Sequence, residues 1–87
     1  MAITNGQTTI GTAATPIDGR WHNPSRITIH NLDNTDAVYL GNSTVGTATG
    51  LELMKQSTLQ FDLEPLDVIY AVSGKEGHKI RWLRQAV

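Results

Sequence analysis

The stretch VYLGNSTVGTATGLEL, residues 38–53, places three glycines among serines and threonines, a composition found in loops that bind phosphate. A P-loop requires a lysine directly after its second glycine, because the ammonium group neutralises phosphate oxygens. Gly41 and Gly46 have the required spacing, but Thr47 and Ala48 follow them. No G-x-G-x-x-G run opens a helix either, as dinucleotide binding requires. We interpret this stretch as a turn-rich connection between strands.

The histidines and carboxylates form no recognisable metal or catalytic pattern. The three histidines, at positions 22, 30 and 78, are isolated and form none of the short-spaced pairs typical of zinc ligands. No serine lies in the G-x-S-x-G pattern of a nucleophile elbow. The acidic residues that could pair for glycoside hydrolysis are indistinguishable from solvated surface; they are Glu52, Asp62, Glu64 and Asp67. We predict no catalytic residue, no metal site and no cofactor, and therefore a protein that is not an enzyme.

An acidic turn is the remaining candidate for metal binding. Asp33, Asn34 and Asp36 lie close together and could bind calcium weakly, but the glycine and distal glutamate of an EF-hand are missing. Aspartate and asparagine also favour turns because their side chains bond to the local backbone. We therefore predict a turn at this position.

Length and composition restrict the function further. The chain has 87 residues, no cysteine and a formal net charge of −1. A chain of this size buries a thin core, and no disulfide can supplement it, so assembly with other copies or a partner is expected. The near-neutral charge predicts no binding to nucleic acid or to a membrane surface. No signal peptide or membrane-spanning run is recognisable, so we expect folding in a reducing cytoplasm.

Apolar and polar residues alternate along most of the sequence, which predicts β-strands. Leu59, Phe61 and Leu63 lie in phase in one segment, and Ile27 and Ile29 lie in phase in another. Further alternating pairs are Val38 with Leu40 and Ile80 with Trp82. Short strands separated by turn residues are typical of a small antiparallel β-sandwich or barrel, here with about six to eight strands. We predict one all-β domain, with a Thr-rich arm or first strand and loop over residues 1–25 and a core sandwich over residues 26–87.

Some local expectations are more specific. The strands on either side of residues 31–36 are predicted to pair as a hairpin, and so are the last two strands, across Gly74–Gly77. Residues 67–72 are apolar on both faces and are predicted to form a central strand. Residues 51–57 could hold a helical turn, and residues 7–14 could form a further strand.

The basic residues near the C-terminus admit two interpretations. Lys75, Lys79, Arg81 and Arg84 could form a positive stripe, and Trp82 could stack on a base. However, the alternation places Trp82 on the face opposite Lys79 and Arg81. A core tryptophan with a solvated basic edge, which would resist sheet-to-sheet aggregation, is the better interpretation.

Arg20-Trp21-His22-Asn23-Pro24 is the best candidate for a contact with a partner. Trp21 lies among polar residues, outside any alternating strand, and tryptophan and arginine are enriched at interface hot spots. The alternative is that this tryptophan covers the open end of a small sandwich.

The order of segments over residues 26–85 resembles a group of small virion proteins of tailed bacteriophages. The matching features are an asparagine at the end of a strand (Asn31), VYLG at 38–41, Val45, Gly50, Phe61 and IYAV at 69–72. The sequence departs from the usual pattern at residues 54–56, where members of the group often have a Pro/Ala-Gly turn. These features mark strands and turns, and none of them is catalytic.

The resemblance implies a β-sandwich structural component of a phage particle. Its most specific form is a decoration, or cementing, protein on the outer surface of the head that binds the major capsid protein. Because such proteins commonly occupy local symmetry axes, the resemblance also implies a homotrimer, assembled in the host cytoplasm and located in the virion. The alternative function is a head-fibre or tail module that recognises host-surface carbohydrate, for which Trp21 is the candidate aromatic residue.

Overall fold

A computed structural model describes residues 3–33 and 35–87 of the chain. It contains eight strands and, within those residues, no helix. The strands are β1 (Ile3–Ile10), β2 (Thr15–Pro16), β3 (Ser25–Asn31), β4 (Val38–Gly41), β5 (Leu51–Leu53), β6 (Thr58–Leu63), β7 (Tyr70–Ser73) and β8 (His78–Ala86). The described part of the chain thus offers no helix that could cross a membrane.

The strands form two four-stranded antiparallel sheets. Sheet A has the order β1-β8-β3-β6, and sheet B has the order β2-β7-β4-β5. Every connection except β4–β5 passes from one sheet to the other. Two four-stranded sheets with this order correspond to a small jelly roll. The predicted fold class, a small all-β sandwich, is therefore confirmed.

The core lies between the sheets, where the inward side chains of both meet. Ile27 and Ile29 are buried on β3, and Val38 and Leu40 are buried on β4, as the alternation predicts. Leu59, Phe61 and Leu63 on β6 are only partly buried although they pack against the same cluster. The buried apolar cluster comprises Ile10, Ile17, Ile27, Ile29, Val38, Leu40, Leu53, Ala71 and Ile80.

Both predicted hairpins are wrong, because each pair of strands is divided between the two sheets. β3 lies in sheet A and β4 in sheet B; likewise, β7 lies in sheet B and β8 in sheet A. Side chains take the place of ladder hydrogen bonds at both crossings. The amide of Asn31 donates to the carbonyl of Leu53, and the hydroxyl of Ser73 lies 2.8 Å from Nδ1 of His78. Gly77, with φ of +73°, turns the chain at the second crossing.

Other local expectations change in detail. Residues 51–57 form strand β5 and a turn rather than a helical turn, and the central strand predicted at 67–72 begins only at Tyr70. The strand expected at 7–14 is present as Ile3–Ile10, which pairs with β8 of the same chain along its whole length. β7 lies between β2 and β4 in sheet B, as a central strand should.

Candidate functional site

The predicted contact segment, residues 20–24, presents exposed side chains around an anchored tryptophan. Arg20, His22, Asn23 and Pro24 are exposed, whereas Trp21 is half-buried. The carbonyl of Trp21 accepts a hydrogen bond of 2.8 Å from the N–H of Leu66. The guanidinium of Arg84 lies 4.6 Å from the centroid of the Trp21 ring, within the range of a cation–π contact. One face of the indole is therefore occupied from within the chain.

Arg84 is buried, so the expectation of a solvated basic edge is wrong at this position. It is 1% exposed and lies on the same face of β8 as Ile80 and Trp82. Its Nε donates to the hydroxyl of Ser25 at 2.9 Å, and its Nη1 donates to the carbonyl of Gly19 at 2.7 Å. The residue connects the loop that contains Trp21 to β8 and β3.

The rest of the basic group is also divided. Lys79 and Arg81 are exposed on the outer face of sheet A, as expected. Lys75 forms ion pairs with Asp33 and with Asp36, the latter at 3.1 Å. The four basic residues therefore do not form one stripe, and Trp82 packs against the core.

The acidic turn is held by its own hydrogen bonds, as predicted. Oδ1 of Asp33 accepts from the N–H groups of Thr35 and Asp36 at 2.7 and 2.9 Å. Lys75 and these donors hold the pKa of the Asp33 carboxyl well below its usual range. Asn34, the third residue considered for calcium binding, lies outside the described residues. The described carboxylates are thus engaged by donors of the same chain.

A buried hydrogen-bond chain joins Ser73, His78 and Asn31 between the sheets. Each of the three is at most 1% exposed. Nδ1 of His78 lies 2.8 Å from the Ser73 hydroxyl, and Nε2 lies 2.7 Å from Oδ1 of Asn31. Nδ2 of Asn31 lies 3.0–3.3 Å from the carbonyls of Asp36, Leu53 and Met54.

The donors and acceptors determine the protonation of His78. Because Nδ2 of Asn31 faces carbonyls, Oδ1 must accept, and Nε2 of His78 must therefore carry a hydrogen. Nδ1 then accepts from the Ser73 hydroxyl, so every hydrogen bond of a neutral imidazole is satisfied. Burial lowers the pKa of His78, because the charged ring would lose its hydration.

The Ser–His–Asn order resembles a hydrolase triad, but the arrangement is structural. A nucleophilic serine must be reached by a substrate, and Ser73 is 1% exposed. In serine hydrolases Nε2 of the histidine faces the serine and Nδ1 faces the orienting group, whereas here the two nitrogens are exchanged. The chain of hydrogen bonds therefore connects the crossings β3–β4 and β7–β8 rather than activating Ser73.

The other candidate chemistry is spread over the surface. His22 is exposed, and Nδ1 of His30 lies 2.9 Å from the Thr58 hydroxyl. Within residues 3–33 and 35–87, no three histidine, aspartate or glutamate side chains converge as a metal site would require. Asp62 forms an ion pair with Arg26 at 2.8 Å on the outer face of sheet A. His30 and Asp62 thus each bond to a side chain of the neighbouring strand of sheet A.

The glycine-rich stretch is a folded connection between β4 and β5, as predicted. The N–H of Gly50 donates to the carbonyl of Gly46 at 2.9 Å, and the buried Val45 points back towards the sheet. A Cβ atom at Gly50 would lie 2.7 Å from Cβ of Tyr39 and 2.8 Å from Cγ2 of Val45. Glycine is required there because the loop lies directly against β4.

An apolar groove of about 420 Å³ lies between the edges of the two sheets. Its walls include Phe61 and Leu63 of β6, Leu40 and Leu51 of the other sheet, and Ile69. Leu51 is 56% exposed although it belongs to a strand. An apolar groove beside an edge strand suits contact with another polypeptide better than reaction with a small polar substrate.

Several of these residues were missed by sequence reasoning although a signal for them exists. His78 and Arg84 lie in phase with Ile80 on β8, and Asn31 lies in phase with Ile27 and Ile29 on β3. The alternation that identified the core therefore also marks these polar side chains as inward. Their hydrogen-bond partners come from a neighbouring strand, from the other sheet or from loops, which periodicity does not predict.

No family model matches the sequence, and no curated protein matches it at a significant level. A solved structure of Bacillus endospore appendages, described as a family of disulfide-linked pili, has a similar fold. The two superpose with a TM-score of 0.63 over 99% of this chain and 86% of the other, at 12% sequence identity. At this identity the similarity concerns the fold, and it agrees with the all-β, two-sheet architecture.

Proposed function

We propose that the chain is a non-enzymatic structural subunit of a phage virion, specifically a decoration protein that binds the major capsid protein on the outer head surface. The sequence resemblance over residues 26–85 is the reason for choosing a phage particle. The single structural observation in its favour is the exposed segment 20–24, whose Trp21 is anchored within the chain by Arg84 and by the N–H of Leu66.

The similarity to a pilus subunit gives limited additional support. It indicates that a fold of this kind occurs in a protein of endospore appendages. The pili are described as disulfide-linked, whereas this chain has no cysteine. These 87 residues therefore cannot form disulfide links of that kind.

The proposed contact with the capsid is the segment 20–24, whose exposed side chains surround the anchored Trp21. Since Trp21 is fixed by Arg84 and by the N–H of Leu66, the segment is held in place before binding. Preorganised loops lose less conformational entropy when they bind. Three copies around a local symmetry axis remain the proposed arrangement.

Binding to heads assembled without the chain tests the proposal. Purified protein is added at increasing concentration to empty heads from its source, and the bound fraction is measured by co-sedimentation. We expect saturation at a stoichiometry set by capsid symmetry. The double variant Arg20→Ala/His22→Ala removes exposed side chains of the contact segment and should weaken binding by about tenfold or more, a loss of roughly 1.4 kcal/mol.

Lys79→Ala is the matched control, because Lys79 is exposed on the outer face of sheet A and outside the contact segment. It should bind as the unmodified protein does. Absence of binding to heads, with the chain recovered among tails or fibres, would contradict the proposal and favour the carbohydrate-binding alternative. In the described structure the Trp21 ring faces Arg84 on one side, which leaves that alternative without a specific observation in its favour.

A further inference from the structure

β6 is an edge strand whose outward-facing backbone groups can be identified. The N–H of Asn31 donates to the carbonyl of Ser57, so residue 57 is bonded towards β3. Residues of an antiparallel strand alternate in the side to which their N–H and C=O groups point. The backbone groups of residues 59, 61 and 63 therefore face β3, and those of residues 58, 60 and 62 face the open edge.

The side chains of β6 divide the same strand into two faces. Leu59, Phe61 and Leu63 point inward and remain partly exposed, and the last two line the apolar groove. The polar Gln60 and Asp62 point outward and are exposed. The strand thus combines free hydrogen-bonding groups with an incompletely covered apolar face, a combination that favours pairing with another strand.

We propose that two copies of this chain pair through β6, antiparallel and about a two-fold axis at Phe61. A two-fold axis perpendicular to the sheet keeps inward faces together, so residues whose numbers add to 122 lie opposite one another. Leu59 then faces the partner's Leu63, and Phe61 faces the partner's Phe61. These are non-hydrogen-bonded positions, where opposed side chains approach most closely.

The same register satisfies the backbone and the outer face. Gln60 and the partner's Asp62 occupy a hydrogen-bonded position, in agreement with the outward direction of their N–H and C=O groups. No like charges are opposed, because Asp62 meets an amide and remains paired with Arg26 of its own chain. Moving the axis to Gln60 would instead place Leu63 opposite a serine, so the register at Phe61 matches all three apolar side chains.

The opposite edge of sheet A is less suitable for this role. The inward residues of β1 include Thr4, Gly6 and Thr8, and the indole of Trp82 lies close to Gly6. Sheet B ends in the short strands β2, which includes Pro16, and β5. Among the described strands, the apolar groove adjoins β6, and the register at Phe61 gives each inward apolar side chain of that strand an apolar partner in a second copy.

Sedimentation equilibrium of the unmodified protein is the first test. A single strand pair is a small interface, so we expect a dimer with a dissociation constant on the order of 10–100 µM. Gln60→Pro removes the outward N–H and blocks the edge, yet breaks no backbone hydrogen bond to β3. Gln60→Thr is the matched control, because both variants lose the side-chain bond to Thr28 while the threonine keeps its N–H. Gln60→Pro should abolish the dimer, and Gln60→Thr should retain it.

Cysteine cross-linking tests the register independently, and it decides the matter if Gln60→Pro fails to fold. Opposed residues at the axis have Cα atoms about 4.5 Å apart, within the roughly 4.4–6.8 Å that a disulfide spans. Phe61→Cys should therefore form a cross-linked dimer on mild oxidation, since the chain has no other cysteine. Leu59→Cys should not, because its two copies would lie about 13 Å apart.

Three results would overturn the proposal. They are a monomer at all concentrations up to about 1 mM, well above the expected dissociation constant, a dimer that persists in Gln60→Pro, and equal cross-linking of the two cysteine variants. The pairing concerns the free protein and does not depend on the proposed role in a virion. It is also distinct from a trimer on a capsid, because it joins copies in pairs.

Discussion

Replacing Asn31 by leucine tests the importance of the buried hydrogen-bond chain most sharply. Leucine has a similar size but no polar atom, so it leaves little room for a replacing water. The substitution removes the acceptor at 2.7 Å from Nε2 of His78 and the donor to the buried carbonyl of Leu53. Both groups would be left buried without these partners.

The expected loss follows from these two groups. A buried polar group without a partner costs about 1–3 kcal/mol, so Asn31→Leu should lower the free energy of unfolding by about 4 kcal/mol. A domain of this size has a total stability of roughly 4–13 kcal/mol, so the variant should lose between about a third and all of it. His78→Phe removes the other side of the same bond and should also destabilise the protein.

The double variant distinguishes a buried bond from simple loss of packing. When both partners become apolar, neither leaves the other unpaired, so Asn31→Leu/His78→Phe should be about 1–3 kcal/mol more stable than the sum of the single effects predicts.

Urea unfolding followed by tryptophan fluorescence measures each variant, with trimethylamine oxide added to bring unstable variants into range. The exposed pair Thr28→Val and Gln60→Leu is the control, and its coupling should stay within about 0.5 kcal/mol. Additive losses at Asn31 and His78 would refute the account.

Three further predictions concern stability. Burial lowers the pKa of His78, so as the pH falls below about 6.5 the unfolded chain binds a proton on this residue before the folded chain does. The free energy of unfolding should therefore fall by up to about 1.4 kcal/mol per pH unit towards pH 5. His78→Phe should remove this slope. A flat profile in the unmodified protein over that range would contradict it. Arg84→Met keeps the length of the side chain but leaves Asp18, Ser25 and the carbonyl of Gly19 without their donor. Because Asp18 is partly solvated, urea unfolding should show a free energy of unfolding lower by about 2–4 kcal/mol. A loss below about 1 kcal/mol would argue against a structural role. Gly50→Ala should lower the free energy of unfolding by about 1–3 kcal/mol, because the added Cβ would lie 2.7 Å from Cβ of Tyr39 on β4. Gly74→Ala, with open space around it, should change it by less than about 1 kcal/mol. Equal effects of the two substitutions in thermal unfolding would contradict the described packing.

Alternation along the chain predicts the class of the fold and most of the strands. Ile27, Ile29, Val38 and Leu40 are inward as expected, because one face of each strand must be buried. What alternation does not contain is the sheet to which a strand belongs. A six-residue connection after Asn31 can close a hairpin or cross between sheets, and both keep the same residues inward.

The polar interior could have been recognised only in part. His78 and Arg84 lie in phase with apolar neighbours, which marks them as buried, but a buried charge requires partners that come from elsewhere in the chain. For Arg84 these partners are Ser25 and Gly19, which lie 59 and 65 residues earlier in the chain. Such contacts depend on the topology, so alternation places Lys79 and Arg81 correctly in solvent but does not show that Arg84 can be buried.

A difference map between electron cryomicroscopy reconstructions of heads with and without the chain tests the proposed function most directly. Discrete two-sheet density is expected at symmetry-related positions on the outer surface, with the segment 20–24 facing the shell. Density confined to the tail or fibres, or no difference between the two reconstructions, would contradict it.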